Sequence, residues 1–253
     1  MKTFISTLML LILISCSAKT DRQVENHSPI SSSSYEKPQP AEIANNGNVP
    51  AQPAEQEVIL DVPIISQNPE LKYGCEVTSL TMLLRYAGIE ADKMKLADEL
   101  PKDEDPVTKT KSGDITQWGN PDHGFVGDIT GKRMGYAVYA GPLETLMKQY
   151  LPERTINLTD KPIEDIVKQL RDRKPVVVWT TGDYKLPDRW EAWSHEGEEI
   201  RTPLDLHAVV LVGFNSTHFY VNDPLSGNKA YPVEKQTFID TWVALGKQAL
   251  SYQ

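Results

Sequence analysis

The sequence predicts an α+β fold in which N-terminal helices pack on an antiparallel β-sheet. Three observations carry that expectation. Helical patterns dominate early, over residues 75–87 and 91–100, and recur over 143–150 and 162–171. Runs of β-branched and aromatic residues come later, over 175–179, 207–214 and 218–222, so the two kinds of element do not alternate as a doubly wound sheet requires. Residues 57–253 are 197 in number, enough for one sizeable core.

The chain opens differently. Residues 1–15 (MKTFISTLMLLILIS) give one Lys and then an apolar run from Leu8 to Ile14. That run is shorter than the roughly 20 residues a spanning helix needs. It has the layout of a secretory signal, and Leu13-Ile14-Ser15-Cys16 resembles a bacterial lipobox. The resemblance implies cleavage before Cys16 and a lipid on its thiol, which predicts a membrane-anchored chain facing the extracellular side. An ordinary signal peptide with an incidental Cys is the competing reading. Loss of Lys2 takes the net charge from −9 to −10.

Residues 16–56 read as the lipidated Cys and a tether. Positions 17–56 hold ten apolar residues, five Pro and six Ser in 40, with no periodicity. Such a segment cannot bury enough surface to offset its ordering entropy. By the square-root rule it spans roughly 35 Å.

Within 57–253, Val58 to Ile65 is a β-branched run interrupted by Pro63 and suits an edge strand. Cys75 to Ala87 carries Val77, Leu80, Leu84 and Ala87 at helical spacing, and Gly88 ends it. Ala91 to Leu100 is a short second helix. Residues 101–141 are loop-rich, and Asp103-Glu104-Asp105 reads there as a solvated loop. Leu143 to Tyr150 is helical, as is Pro162 to Arg171, with Ile163, Ile166, Val167 and Leu170 on one face. The acidic stretch Trp190 to Glu199 reads as an exposed loop or a lid. The runs 207–214 and 218–222 are separated by Asn215-Ser216-Thr217 and predict an antiparallel hairpin. Val233 to Leu245 is a final helix.

Composition excludes several functions. Lys+Arg number 26 against 35 Asp+Glu, so no basic face for nucleic acid is expected. Neither a P-loop nor a GxGxxG run is present, so no nucleotide is expected. The two cysteines, Cys16 and Cys75, make a disulfide scaffold, a Cys-based zinc cluster or an iron–sulfur site untenable. One Cys with dispersed His is no recognisable zinc set, and no metal or other cofactor is expected.

Cys75 follows Gly74 where a loop meets a helix. The helix dipole there favours thiolate, the nucleophilic form, so the thiol pKa is expected to fall. A buried, inert thiol is the alternative. A cysteine nucleophile needs a base, and the base an orienter. Among five His, His207 opens the Val-rich strand; His123 and His195 sit in loops, and His218 reads as solvated. Asp223 ends the next strand, so the hairpin would bring it beside His207; ordinary Asp-Pro turn chemistry is the bland reading. Asn222 points to the other face by alternation. Gln67, eight residues before Cys75, could join the Cys75 N–H in holding an oxyanion.

Gln67, Gly74-Cys75-Glu76-Val77-Thr78-Ser79-Leu80, His207-Ala208-Val209-Val210-Leu211-Val212-Gly213-Phe214 and Val221-Asn222-Asp223-Pro224 resemble the set carried by papain-fold cysteine peptidases. The family is typified by the double-glycine leader peptidases of bacteriocin exporters, and the closer resemblance is to its stand-alone secreted branch. The likeness runs over about 58–245. Trp118 to Asp128 and Arg173 to Trp179 also look like that branch. It implies a papain-like fold, with Cys75 as nucleophile, His207 as general base and then acid, Asp223 as orienter and Gln67 as oxyanion donor. No transporter domain or ATP-binding cassette accompanies them. The implied substrate is a peptide or protein, with a cell-wall peptide as a further possibility. Three readings stay open: a peptidase, a peptidoglycan-directed amidase or endopeptidase, and a silent peptide-binding module on the same fold.

Overall fold

A computed structural model of the chain describes residues 57–253. The expected signal peptide, Cys16 and the tether lie outside the described residues. In chain order the first elements are β1 (Val58–Ile59), α1 (Cys75–Tyr86), α2 (Lys93–Glu99), β2 (Lys102–Asp103), β3 (Thr108–Lys109), β4 (Ile115–Gln117), β5 (Phe125–Val126), α3 (Ala140–Tyr150) and β6 (Thr155–Asn157). They are followed by α4 (Ile163–Arg171), β7 (Val176–Thr181), β8 (Trp190–His195), β9 (Glu198–Pro203), β10 (Leu206–Phe214), β11 (His218–Asn222), β12 (Tyr231–Glu234), α5 (Lys235–Ala244) and β13 (Ala249–Tyr252). This is an α+β papain-like fold.

The main sheet runs β12-β11-β10-β7-β13-β6, with β1 also paired to β10. Every pairing in it is antiparallel. The β-branched run Val176-Val177-Val178 is buried throughout, as is β10 from His207 onward, so these two strands form the centre of the core. Their near-continuous apolar character reflects cover on both faces.

α1 is buried along Cys75 to Leu84, including Glu76, Thr78, Ser79 and Thr81. A helix wrapped on all sides has no polar face, and of its buried hydroxyls Ser79 and Thr81 find internal partners while Thr78 Oγ1 has none. Thr81 Oγ1 donates to the Val77 carbonyl at 2.7 Å, and Ser79 Oγ donates to the Ala208 carbonyl of β10 at 3.1 Å. Val77, Leu80, Leu83 and Leu84 are fully buried, each contributing about 1.5–3 kcal/mol. The helix ends where Gly88 takes φ +80°. Gly88 N then donates to Arg85 O and Ile89 N to Leu84 O, the paired bonds of a Schellman stop.

Several elements differ from the sequence expectation. The strand expected over Val58 to Ile65 is confined to Val58 and Ile59; Leu60 N still bonds Val212 O, but the chain then turns, Val62 N bonding back to Leu60 O. The second helix is trimmed to 93–99 because Asp92 caps it, accepting from the Met94 and Lys95 amides. The last helix starts at Lys235, since Glu234 accepts from the Gln236 and Thr237 amides while Val233 lies in β12. β6 and β13 were not expected. Trp190 to Glu199 is no exposed loop: β8 pairs with β9 in a hairpin, within a second sheet ordered β3-β4-β8-β9.

That second sheet has its own small core of Ile115, Trp118, Val126 and Trp193, with Tyr136 against it. The Trp118 and Trp193 rings lie 5.5 Å apart, and Trp193 Nε1 donates to the Gly119 carbonyl at 2.8 Å. Alternation in β8 therefore reports the inward face at Trp193 and His195, both buried.

Candidate active site

The hairpin brings His207 and Asp223 together. Val210 pairs with Asn222, so Asp223 continues opposite Val209, whose side chain shares a face with His207. His207 Nε2 and Asp223 Oδ1 are 2.7 Å apart, with side chains 4 % and 8 % exposed. Asp223 is itself fixed. Its Oδ1 accepts from the Leu225 amide at 2.8 Å and its Oδ2 from Ser226 Oγ at 2.6 Å. Burial alone would raise its pKa. The hydrogen bond and charge of His207, helped by Ser226 and the Leu225 amide, instead hold it at about 2. The carboxylate stays ionised and the imidazole keeps Nδ1 for another partner. Asn222 turns to the opposite face, as alternation predicts, where its amide donates to Val62 O at 3.0 Å and accepts from Ala230 N at 2.9 Å.

The hairpin holds its register through a bulge between Leu211 and Gly213. Gly213 lies against β1. A Cβ there would sit 2.2 Å from the Val58 carbonyl oxygen, so only glycine lets the two backbones approach.

Cys75 begins α1 beside the start of β10. Four residues into the helix, Ser79 Oγ bonds the carbonyl of Ala208, the residue that follows His207. The helix-dipole expectation of a lowered thiol pKa does not hold. Burial pushes the Cys75 thiol well above its usual value, and the neighbouring Glu76 charge adds to the rise; the Ala208 amide opposes both only in part. At rest the sulfur is a thiol whose proton points at Glu76 Oε2, 3.3 Å away.

Glu76 is a residue sequence reasoning missed. It is completely buried, and its Oε1 accepts from the Val138 amide at 2.9 Å. Burial raises its pKa to about 7, against the pull of that amide, of Cys75 and of His207. An acidic residue inside an otherwise fully buried helical run was the signal that could have found it.

Gln67 is 2 % exposed. Its backbone amide donates to the Pro224 carbonyl at 2.9 Å, which ties it to the loop that carries Asp223. Its side-chain Nε2 donates to the Lys72 carbonyl at 2.8 Å, and Oε1 is buried without a partner. One N–H of the amide is thus committed and the second is left over. Tyr73 N bonds to Ile129 O, and Gly74 N to Leu71 O, fixing the loop that delivers Cys75. A Cβ on Gly74 would meet Leu71 Cβ at 2.5 Å, which accounts for the glycine before the cysteine.

Beyond these residues, the structure gathers three that the sequence left dispersed. Asp103, His123 and His195 offer donor atoms all within 4.8 Å of one another. The expectation of a solvated Asp103 loop is therefore corrected: its side chain is 8 % exposed and packed against the His195 ring nitrogen at 3.1 Å. Residues about 20 and 90 positions apart meet only because β8 returns to the 101–126 segment, so no local pattern announced them.

Comparison with known proteins agrees with this architecture. The chain is 34% identical over 196 residues to the uncharacterized protein YvpB of Bacillus subtilis strain 168, covering 77% of this chain and 75% of that protein. It superposes with a TM-score of 0.72 and 41% identity on a crystal structure described as a candidate C39-like peptidase from Bacillus anthracis, covering 79% of this chain and 98% of that one. Residues 59–250 match the Peptidase_C39 like family. The match takes in Gln67, Cys75, His207 and Asp223 alike, and the chain belongs to the Peptidase_C39 like family.

Proposed function

We propose that the protein is a cysteine peptidase of the stand-alone secreted branch, anchored outside the cell membrane through Cys16, with Cys75, His207 and Asp223 as its triad. The observation that carries this reading is the buried 2.7 Å contact of His207 Nε2 with Asp223 Oδ1, on the strand that borders the Cys75 helix. It is the arrangement a thiol hydrolase needs to hold one imidazole nitrogen and free the other.

Cys75 attacks the amide carbonyl as its proton passes to His207 Nδ1. The imidazolium that forms is stabilised by the ionised Asp223. The tetrahedral oxyanion is held by the second N–H of Gln67 Nε2 and by the Cys75 amide, which has no partner within its helix. His207 then gives its proton to the departing amine, leaving a thioester. Water, deprotonated by His207, releases the acid and restores the thiol.

A peptide-library digest with residues 57–253, using Cys75→Ala as control, tests this. Products that require Cys75 support the peptidase; cleavage of peptidoglycan alone would assign a wall amidase. Ligand retention by both proteins without product would leave a binding module.

A further inference from the structure

The cluster of Asp103, His123 and His195 lies outside the proposed catalytic machinery and has the makings of a metal centre. Its donors are two imidazole nitrogens and a carboxylate, the set borderline divalent ions favour. His195 Nε2 is 3.1 Å from Asp103 Oδ2 and 3.5 Å from Asp105 Oδ2, and His123 Nδ1 is 4.0 Å from Asp103 Oδ2. Ligands on a tetrahedral zinc ion at about 2.0 Å stand roughly 3.3 Å from each other. The two His195 distances bracket that edge. The third needs only a small swing of His123, whose side chain is 56 % exposed.

The carboxylate is prepositioned as metal ligands are by their outer partners. Asp103 Oδ1 accepts from the Asp105 amide at 3.1 Å and Oδ2 from the Asn120 amide at 2.9 Å. A Cβ on Gly119 would come within 2.7 Å of Asp103 Oδ1, so glycine there lets the chain close over the carboxylate. His195 is 6 % exposed and faces inward beside Trp193, with the His123 ring edge-on at 5.0 Å.

The geometry points to a binding site for one zinc-class divalent ion, held by Asp103, His123 and His195, with the exposed Asp105 carboxylate swinging in as the fourth ligand. Such an ion cross-links three separated segments: the end of β2, the turn at 119–124 and β8 of the hairpin. A groove of about 720 Å³ runs from Asp103 and Asp105 to Leu71 and Ile129, next to the loop that delivers Cys75. The ion would therefore stiffen the groove wall without touching the reacting thiol, and the inference stands whether or not the chain is a peptidase.

The test is calorimetric titration of the full chain in detergent with zinc chloride, in a Cys16→Ala, Cys75→Ala background that removes both thiols. One ion per chain is expected, with a rise in melting temperature. His123→Ala, at a position whose side chain is 56 % exposed, should weaken binding at least tenfold. Asp105→Asn should weaken it less, and Co²⁺ should give visible bands without sulfur charge transfer. No zinc binding in the chain without thiols would overturn the proposal. So would binding of equal strength after His123→Ala.

Discussion

Replacing Glu76 by Gln should remove a defined pH dependence of stability. An unburied glutamate titrates near 4.5, whereas burial raises Glu76 to about 7. Between those values the folded chain keeps a proton that the unfolded chain has released. Stability must then fall as pH rises, because the unfolded state binds fewer protons. At about 1.4 kcal/mol per pH unit, roughly 3 kcal/mol is lost on going from pH 4.5 to above 7. Gln keeps an oxygen for the Val138 amide and cannot ionise. Urea unfolding of residues 57–253 and of Glu76→Gln at pH 5 and pH 8 measures the difference. The variant should gain about 3 kcal/mol relative to the parent between the two pH values. The thiol provides a second readout. Without the Glu76 charge, one of the three causes that raise Cys75 is gone, so its alkylation profile should move to lower pH. Stability curves that run parallel across pH would refute the reasoning, since the buried proton would then not be on Glu76.

Further outcomes follow from the same contacts. Asp223→Asn should lower kcat/KM on any substrate found by about 10- to 100-fold, the worth of a charge-assisted hydrogen bond; an unchanged value would remove Asp223 from the mechanism. Gln67→Ala should lower kcat with little change in KM, by an amount of about 2.7–4 kcal/mol if the amide holds the oxyanion. Gly213→Ala should destabilise the fold by about 1–3 kcal/mol in urea unfolding, because the added methyl meets the Val58 carbonyl. Trp193→Ala should cost about 3–5 kcal/mol, with its main effect on the β8–β9 hairpin, visible as faster amide exchange there.

How much of this was legible depends on range. The 207–222 hairpin was readable because both strands carry β-branched runs around a polar turn, and that hairpin fixes His207 against Asp223. Cys75 was readable as a helix start because Gly74 precedes it and Val77, Leu80 and Leu84 follow at helical spacing. Its environment was not, since burial by distant elements outweighs the helix dipole. β13 escaped notice because Ala249-Leu250-Ser251-Tyr252 gains its strand character only by pairing with β7 and β6. The β8–β9 hairpin was hidden by its acidic residues, which sit on exposed positions while Trp193 and His195 face in. The Asp103 cluster was beyond any local pattern, because each member looks ordinary among its own neighbours.

The resting state of Cys75 also bears on durability. Peroxides oxidise thiolate far faster than thiol, so a cysteine that keeps its proton climbs the ladder to sulfenic and sulfinic acid slowly. Cys75 Sγ donates that proton to Glu76 Oε2, and Cys75 is the one cysteine among the described residues. With no resolving thiol nearby, a sulfenic acid formed there could not be rescued as a disulfide. If Cys75 is the nucleophile proposed above and the chain is exported, a thiol kept in this form can wait in an oxidising medium without a reductant to maintain it.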